Sequence, residues 1–278
     1  MSGTTAAREP RLGVLGVLRS EEIKLRTLRS TWWCAGVLVV LSALVGLLIS
    51  TVVPTGARLP PAQQDALAVQ VLTLSVNFTQ LVAAVLGVLV ITGEYGTGMI
   101  RSTFAAVPRR LPAVLAKLVV LAVAVLAIGL VSTSLTALVA GPVLGARGID
   151  LAPDAALWLP VLGGTVYLVL VAALAFAIGA LVRNSAAGIT TVLGLLLVAP
   201  VVVNLAATIT RQQWLQNVDA VLPSSAGSRL FASVSSGPDL GAVGGALVLN
   251  GWAGFGVLAA WIAVFLVPAL VLTRTRDA

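Results

Sequence analysis

Histidine is absent from this chain of 278 residues, cysteine occurs once, at Cys34, and only ten residues are acidic. Without imidazole there can be no Ser-His or Cys-His nucleophile pair, no HExxH zinc site and few of the usual proton relays. A single thiol allows no intramolecular disulfide, so cysteine usage says nothing about compartment. These absences count against a membrane protease or a metalloenzyme, and no catalytic residue and no metal site are expected.

What the chain does have is apolar surface. Hydrophobic residues make up 59% and charged residues 10%, with a mean hydropathy of +1.06. A soluble core of this size could not hide so much, whereas a bilayer solvates it and asks only that backbone polar groups pair within helices. The expected fold class is therefore all-α, a polytopic membrane protein. Six apolar runs are long enough to cross about 30 Å of hydrocarbon, near 33–53, 70–92, 112–139, 158–182, 187–209 and 250–272. Residues 33–272 then form a single six-span domain, after an N-terminal segment, 1–32, and before a short tail, 273–278. Trp32, Trp33, Trp158 and Trp252 read as interfacial anchors.

Lysine and arginine fall unequally on alternate connections. One side holds Arg8, Arg11, Arg19, Lys24, Arg26, Arg29, Arg101, Arg109, Arg110, Lys117, Arg183, Arg274 and Arg276; the other holds only Arg58, Arg147, Arg211 and Arg229. Acidic residues split evenly, so the bias lies in the cations, and the positive-inside rule places both termini in the cytoplasm. The same distribution explains the net charge of +7 as a topology signal helped by anionic headgroups. It is not a nucleic-acid footprint, because no aromatic-basic groove accompanies it.

Residues 1–10 are expected to lack fixed structure, and 11–31 to form an amphipathic helix in the cytoplasmic interface. Ser20 caps a turn opened by Glu21 and Glu22, Lys24, Arg26 and Arg29 lie toward the C-terminal end, and Leu18, Leu25 and Leu28 share one side. The bland alternative is that this segment simply lengthens the first span. Between spans two and three lies GEYGTGMIRSTFAAVPRR, residues 93–110. Glu94 stands where the span ends, Gly96 and Gly98 let the backbone turn, and Met99, Ile100, Thr103, Phe104 and Val107 recur at helical spacing until Pro108. Arg109 and Arg110 mark re-entry, and Lys117 is expected to snorkel back to the interface. This pattern suits either a helix lying flat on lipid or a docking element for a cytoplasmic partner. The connection 210–249 carries QQWLQNVDAVLPSSAGSRLF, too apolar for a free loop and too polar to span, so short surface or re-entrant helices are expected there.

GEYGTGMIRSTFAAVPRR resembles the cytoplasmic loop of ATP-binding-cassette (ABC) type-2 permeases, particularly the short actinobacterial ones. SEEIKLRTLRSTWW ahead of span one and LPSSAGSRL in the last extracellular connection are similar to the same family. The resemblance implies that the loop is a coupling helix seated in a cleft of an ATPase subunit, with Glu94, Tyr95, Gly96, Thr97, Gly98, Met99, Ile100 and Arg101 at that contact and Phe104 on its apolar stripe. It implies an interfacial elbow helix containing Glu22, Lys24, Leu25, Arg26, Leu28 and Arg29. It further implies an extracellular gate at Leu222, Pro223, Ser224, Ser225, Ala226 and Gly227.

The sequence contains no GxxxxGK[ST] phosphate loop, so the chain is expected to be a permease and not an enzyme, with ATP and Mg on a partner ATPase in two copies. A second permease, identical or related, would complete the pathway. The expected setting is a bacterial cytoplasmic membrane and the expected activity is export of a hydrophobic or amphipathic compound, a lipid, an antibiotic or another secondary metabolite. Asn77, Gln80 and Asn204 could line a pathway or, with Asn250, merely bond neighbouring helices. Ser132, Ser134 and Thr136 read as helix-packing groups, and Gly163, Gly164, Gly179, Gly188 and Gly194 as close-contact positions. Two rivals stay open. An ion-coupled carrier would want ionisable groups near the midplane, where none is seen; a membrane enzyme would want a base beside those hydroxyls.

Overall fold

The computed structural model describes residues 14–53, 60–99, 110–149, 151, 155–232 and 247–275, and all regular structure among them is helical. In chain order the helices are α1 (Val14–Thr27), α2 (Arg29–Val52), α3 (Pro61–Thr73), α4 (Val76–Thr97), α5 (Arg110–Ala146), α6 (Ala155–Val182), α7 (Ser185–Leu193), α8 (Ala199–Thr210), α9 (Gln213–Ala220), α10 (Pro223–Ser228) and α11 (Gly251–Thr275). A π-helical turn, Gly194–Val198, joins α7 to α8. Pro200 follows this turn and offers no N–H to the helical ladder.

Among the described residues, six stretches are long and apolar enough to cross a membrane: Arg29–Val52, Gln63–Thr97, Leu111–Ala146, Leu157–Val182, Ser185–Thr210 and Gly251–Thr273. The second begins well before the expected residue 70. Gln63, Gln64, Asp65 and Gln70 depress the hydropathy of its opening turns, although the helix there is buried on the side of Ala68, Val69, Val71 and Leu72. The third runs past the expected residue 139 to Ala146, because Pro142 is accommodated inside it. Beyond Pro142, Leu144 is packed in a satellite core with Val53, Leu72, Ile149 and Leu157.

The second and fourth spans form the centre. In each, about two thirds of the most apolar window is buried, against roughly a tenth to a third in the other four. Small residues explain the close approach of α4 and α6: a methyl group on Gly87 would lie 2.3 Å from the Ala172 carbonyl oxygen. Gly163, Gly164, Gly179 and Gly188 are also crowded, whereas Gly194 has open space around it. Ser42, Ser75 and Thr136 join α2, the α3–α4 joint and α5 by hydroxyl contacts of 3.0 and 2.9 Å. The outward faces are apolar, for example Val40, Leu44 and Leu48 on α2, Val201, Val202 and Leu205 on α8, and Val264, Val267 and Val271 on α11.

Two expectations about the N-terminal segment are corrected. The chain bends at Leu28, whose extended backbone separates α1 from α2, so the interfacial helix ends before the expected residue 31 and Arg29 opens the first span. Trp32 Nε1 donates to the Arg26 carbonyl at 2.8 Å, satisfying an orphan group at the end of α1. Ser20 is no cap, since its hydroxyl donates back to Val17 O within the helix. The buried stripe of α1 is Val17, Glu21 and Leu25, with Leu28 exposed. That face packs mainly on α5.

Candidate functional site

The positively charged end of the bundle is organised around the last turns of α4. Gly98 ends this helix with φ of 73°, a left-handed conformation that glycine adopts without penalty. Just before it, Glu94 is 7% exposed. Its Oε1 accepts from Lys117 Nζ of α5 at 2.7 Å and from Lys24 Nζ of α1 at 3.1 Å. Lys24 also pairs with Glu21 at 2.7 Å, and Lys117 reaches Glu21 Oε2 at 2.5 Å. Two carboxylates and two ammonium groups from three helices therefore alternate in one charge-balanced cluster, buried except at the partly exposed Lys24. Burial alone would pull the Lys24 ammonium down, but its hydrogen bonds and the charges of Glu21 and Glu94 outweigh this and hold it above the ordinary lysine range.

This corrects the expectation for Lys117. It is 6% exposed and does not snorkel outward, because two carboxylates beside it cost less than a detour to the headgroups. Glu21 enters the sequence reading only as a residue that opens a helical turn, not as a member of the site. The signal was present: it sits four residues from both Val17 and Leu25, on the one stripe of α1 that is buried, and a carboxylate there demands a buried cation.

The same end of α4 makes two further ties, both to the hairpin between the fourth and fifth spans. The Arg183 guanidinium lies 5.3 Å from the Tyr95 ring centroid, a cation–π distance. Ser185 Oγ donates to Thr92 Oγ at 2.8 Å. Arg183 has φ of 59°, and Asn184 next to it caps α7 by accepting from Ala187 N–H. Beyond these anchors Gly96, Thr97, Gly98 and Met99 are exposed. Ile100, Arg101 and Phe104, with the expected coupling helix itself, lie outside the described residues, as do residues 1–10. A cavity of about 240 Å³ adjoins the cluster, lined by Leu25, Leu28, Val90, Met99 and Val120 among others. On α1, Glu22 and Arg26 pair at 2.7 Å on the exposed side.

At the opposite end the expected gate residues form α10 and its approach. Leu222, Pro223, Ala226 and Gly227 are buried, and Ser224 and Ser225 are half-buried. The turn is wedged between α6 and α11. A methyl on Gly254 would lie 2.2 Å from Ala226 O, one on Gly163 1.9 Å from Leu230 O, and one on Gly227 would overlap the Tyr167 ring. Tyr167 in turn donates its hydroxyl to Gln80 Oε1 and packs 5.4 Å from Phe231 between ring centroids. Trp261 Nε1 donates to Val221 O. Gln80 is thus a buried partner whose Nε2 also donates to Asn77 O. Asn77 lies at a cavity of about 650 Å³ with Gln63, Gln70, Thr73 and Phe231. Asn204 is exposed on α8, and Asn250 caps α11 by accepting from Ala253 N–H.

These placements bring the interfacial helix and the start of the loop into one junction, and set Asn204 apart from Asn77 and Gln80, which are bonded to each other. No curated protein matches the chain. The model of one family, described as ABC-2 family transporter protein, matches residues 17–200 and so spans α1, the ion cluster and the first four spans. With about two thirds of its length matched, the chain belongs to the ABC-2 transporter family as a membrane-spanning permease.

Proposed function

We propose that this chain exports a hydrophobic or amphipathic compound by alternating access, driven by ATP hydrolysis on a separate ATPase subunit that docks at the exposed residues after Glu94. The observation that carries this reading is the contrast within a few residues of α4: Glu94 is buried and ion-paired to two other helices, while Gly96 to Met99 stand exposed beyond it. A helix end that is rigidly anchored yet presents its tip to the aqueous side suits the transmission of force from a docked partner. In this reading both termini are cytoplasmic, two ATPase copies carry ATP and Mg, and a second permease copy or a related chain completes the pathway. Among the described residues, charged side chains keep to α1, the connections and the ends of the spans, and none stands at mid-span, which fits an uncharged or amphipathic cargo better than an ion-coupled carrier.

The test is co-expression with candidate ATPase subunits. One of them should co-purify with the chain and hydrolyse ATP in a permease-dependent manner; an absence of association across the set would remove the docking role.

A further inference from the structure

The chain has seventeen cations, and only two are lysines, Lys24 and Lys117. Both converge on the cluster with Glu21 and Glu94. Arginine would hold carboxylates in a fixed planar fork, whereas an ammonium is a point charge with three rotating donors on a flexible stem. It can exchange partners without moving the backbone. The cluster is also the main connection of the end of α4 to the other two elements: α4 and α5 touch little elsewhere, whereas α1 packs along α5 and is separated from α2 by the break at Leu28. Glu94 Oε2 is buried and accepts no hydrogen bond, so this carboxylate has acceptor capacity to spare beside the 240 Å³ cavity.

We propose that Lys117 is a positioning residue that clamps α1 and the end of α4 to α5, so that these three elements move as one body when the loop after α4 is displaced. The clamp is ionic where most of the bundle interface is apolar. Taking one partner from a buried ion pair leaves an uncompensated charge, so the three elements stay together while the cluster is intact. The inference rests on the ATPase-docking reading for its purpose, but the clamp itself is a property of the permease.

The experiment uses the full chain in lipid nanodiscs with its co-purified ATPase, with Cys34→Ser as background. Spin labels at Ile23 on α1 and Leu115 on α5, both exposed and neither in the cluster, report the α1–α5 distance with and without ATP plus vanadate. The parent should give one narrow distance in both states. Lys117→Met should broaden the distribution at least twofold and abolish most permease-dependent hydrolysis, at least fivefold, without reducing the amount of ATPase bound. Lys117→Arg should restore the narrow distance. Because a lone substitution strands two carboxylates, the charge-balanced pair Lys117→Met with Glu21→Gln is measured beside it and should broaden the distance equally. A narrow distribution in both neutralised variants, or full permease-dependent hydrolysis in them, overturns the clamp. Failure of the parent itself to retain any ATPase refutes docking instead, and the distance measurement still decides the clamp.

Discussion

Lys117 Nζ lies 2.7 Å from Glu94 Oε1, and neither side chain is more than a tenth exposed. Twenty-three residues apart in sequence, they come from the two helices that flank the loop and fix the distance between its ends. Removing one partner of a buried pair leaves an uncompensated charge, at a cost of roughly 3–5 kcal/mol. Lys117→Met should therefore lower the thermal stability of the purified permease markedly, and Lys117→Met with Glu21→Gln should recover at least half of that loss. Thermal aggregation followed by size-exclusion chromatography measures both.

At the other end, Tyr167→Phe removes the only hydroxyl that donates to Gln80 Oε1 among the described residues. A buried acceptor left without a donor costs about 1–3 kcal/mol. Tyr167→Phe with Gln80→Leu should cost less than Tyr167→Phe alone. A double-mutant cycle on the same melting assay gives the coupling; additive effects would show that the bond carries no net stability.

Gly163 has a backbone oxygen, that of Leu230, where a β-carbon would go, and backbone cannot swing aside as a side chain can. Gly163→Ala should cost about 1–3 kcal/mol as overpacking and loosen the turn after α10. Gly194→Ala is the control, since a methyl there meets nothing within 4 Å. Increased trypsin cleavage at Arg229 in the first variant and not the second is the expected readout.

Much of this architecture was legible in the sequence, and the parts that were not have identifiable causes. Hydropathy located six spans because each needs a long apolar stretch whatever it packs against. It misjudged the start of the second, where Gln63 and Gln70 face a cavity while Ala68 and Val69 are buried, because an average does not see faces. The junction at Glu94 was visible as a carboxylate at a helix end, but its partners were not. Lys24, Lys117 and Glu21 come together only through the packing of α1 on α5, a long-range contact that local periodicity does not encode. For Gln80 the sequence leaves two readings, a pathway residue or a group that bonds a neighbouring helix, because a polar side chain in a span suits either. Its geometry makes it the partner of Tyr167, a position 87 residues away.

Lys24 sets a pH expectation. Its value in the folded chain is raised above the ordinary lysine value by Glu21 and Glu94, with Lys117 also in the cluster. A raised lysine contributes stability that is fully present below the unfolded value of about 10.4 and is lost as pH climbs through the higher folded value. The α1–α5 distance between labels at Ile23 and Leu115 should stay constant from pH 8 to about 10 and broaden only above that. Lys24→Met should remove the alkaline transition.

The central claim is that the tip of α4 receives an ATPase. The most direct measurement is quantitative co-purification of a Walker-containing ATPase with the parent chain, with Glu94→Lys and with Met99→Asp, each checked for normal membrane insertion. The account predicts that the parent retains the ATPase and its permease-dependent hydrolysis, while both variants insert normally but lose at least five-sixths of the bound ATPase. Equal retention and equal hydrolysis in all three would contradict it and return the loop to a surface helix resting on lipid.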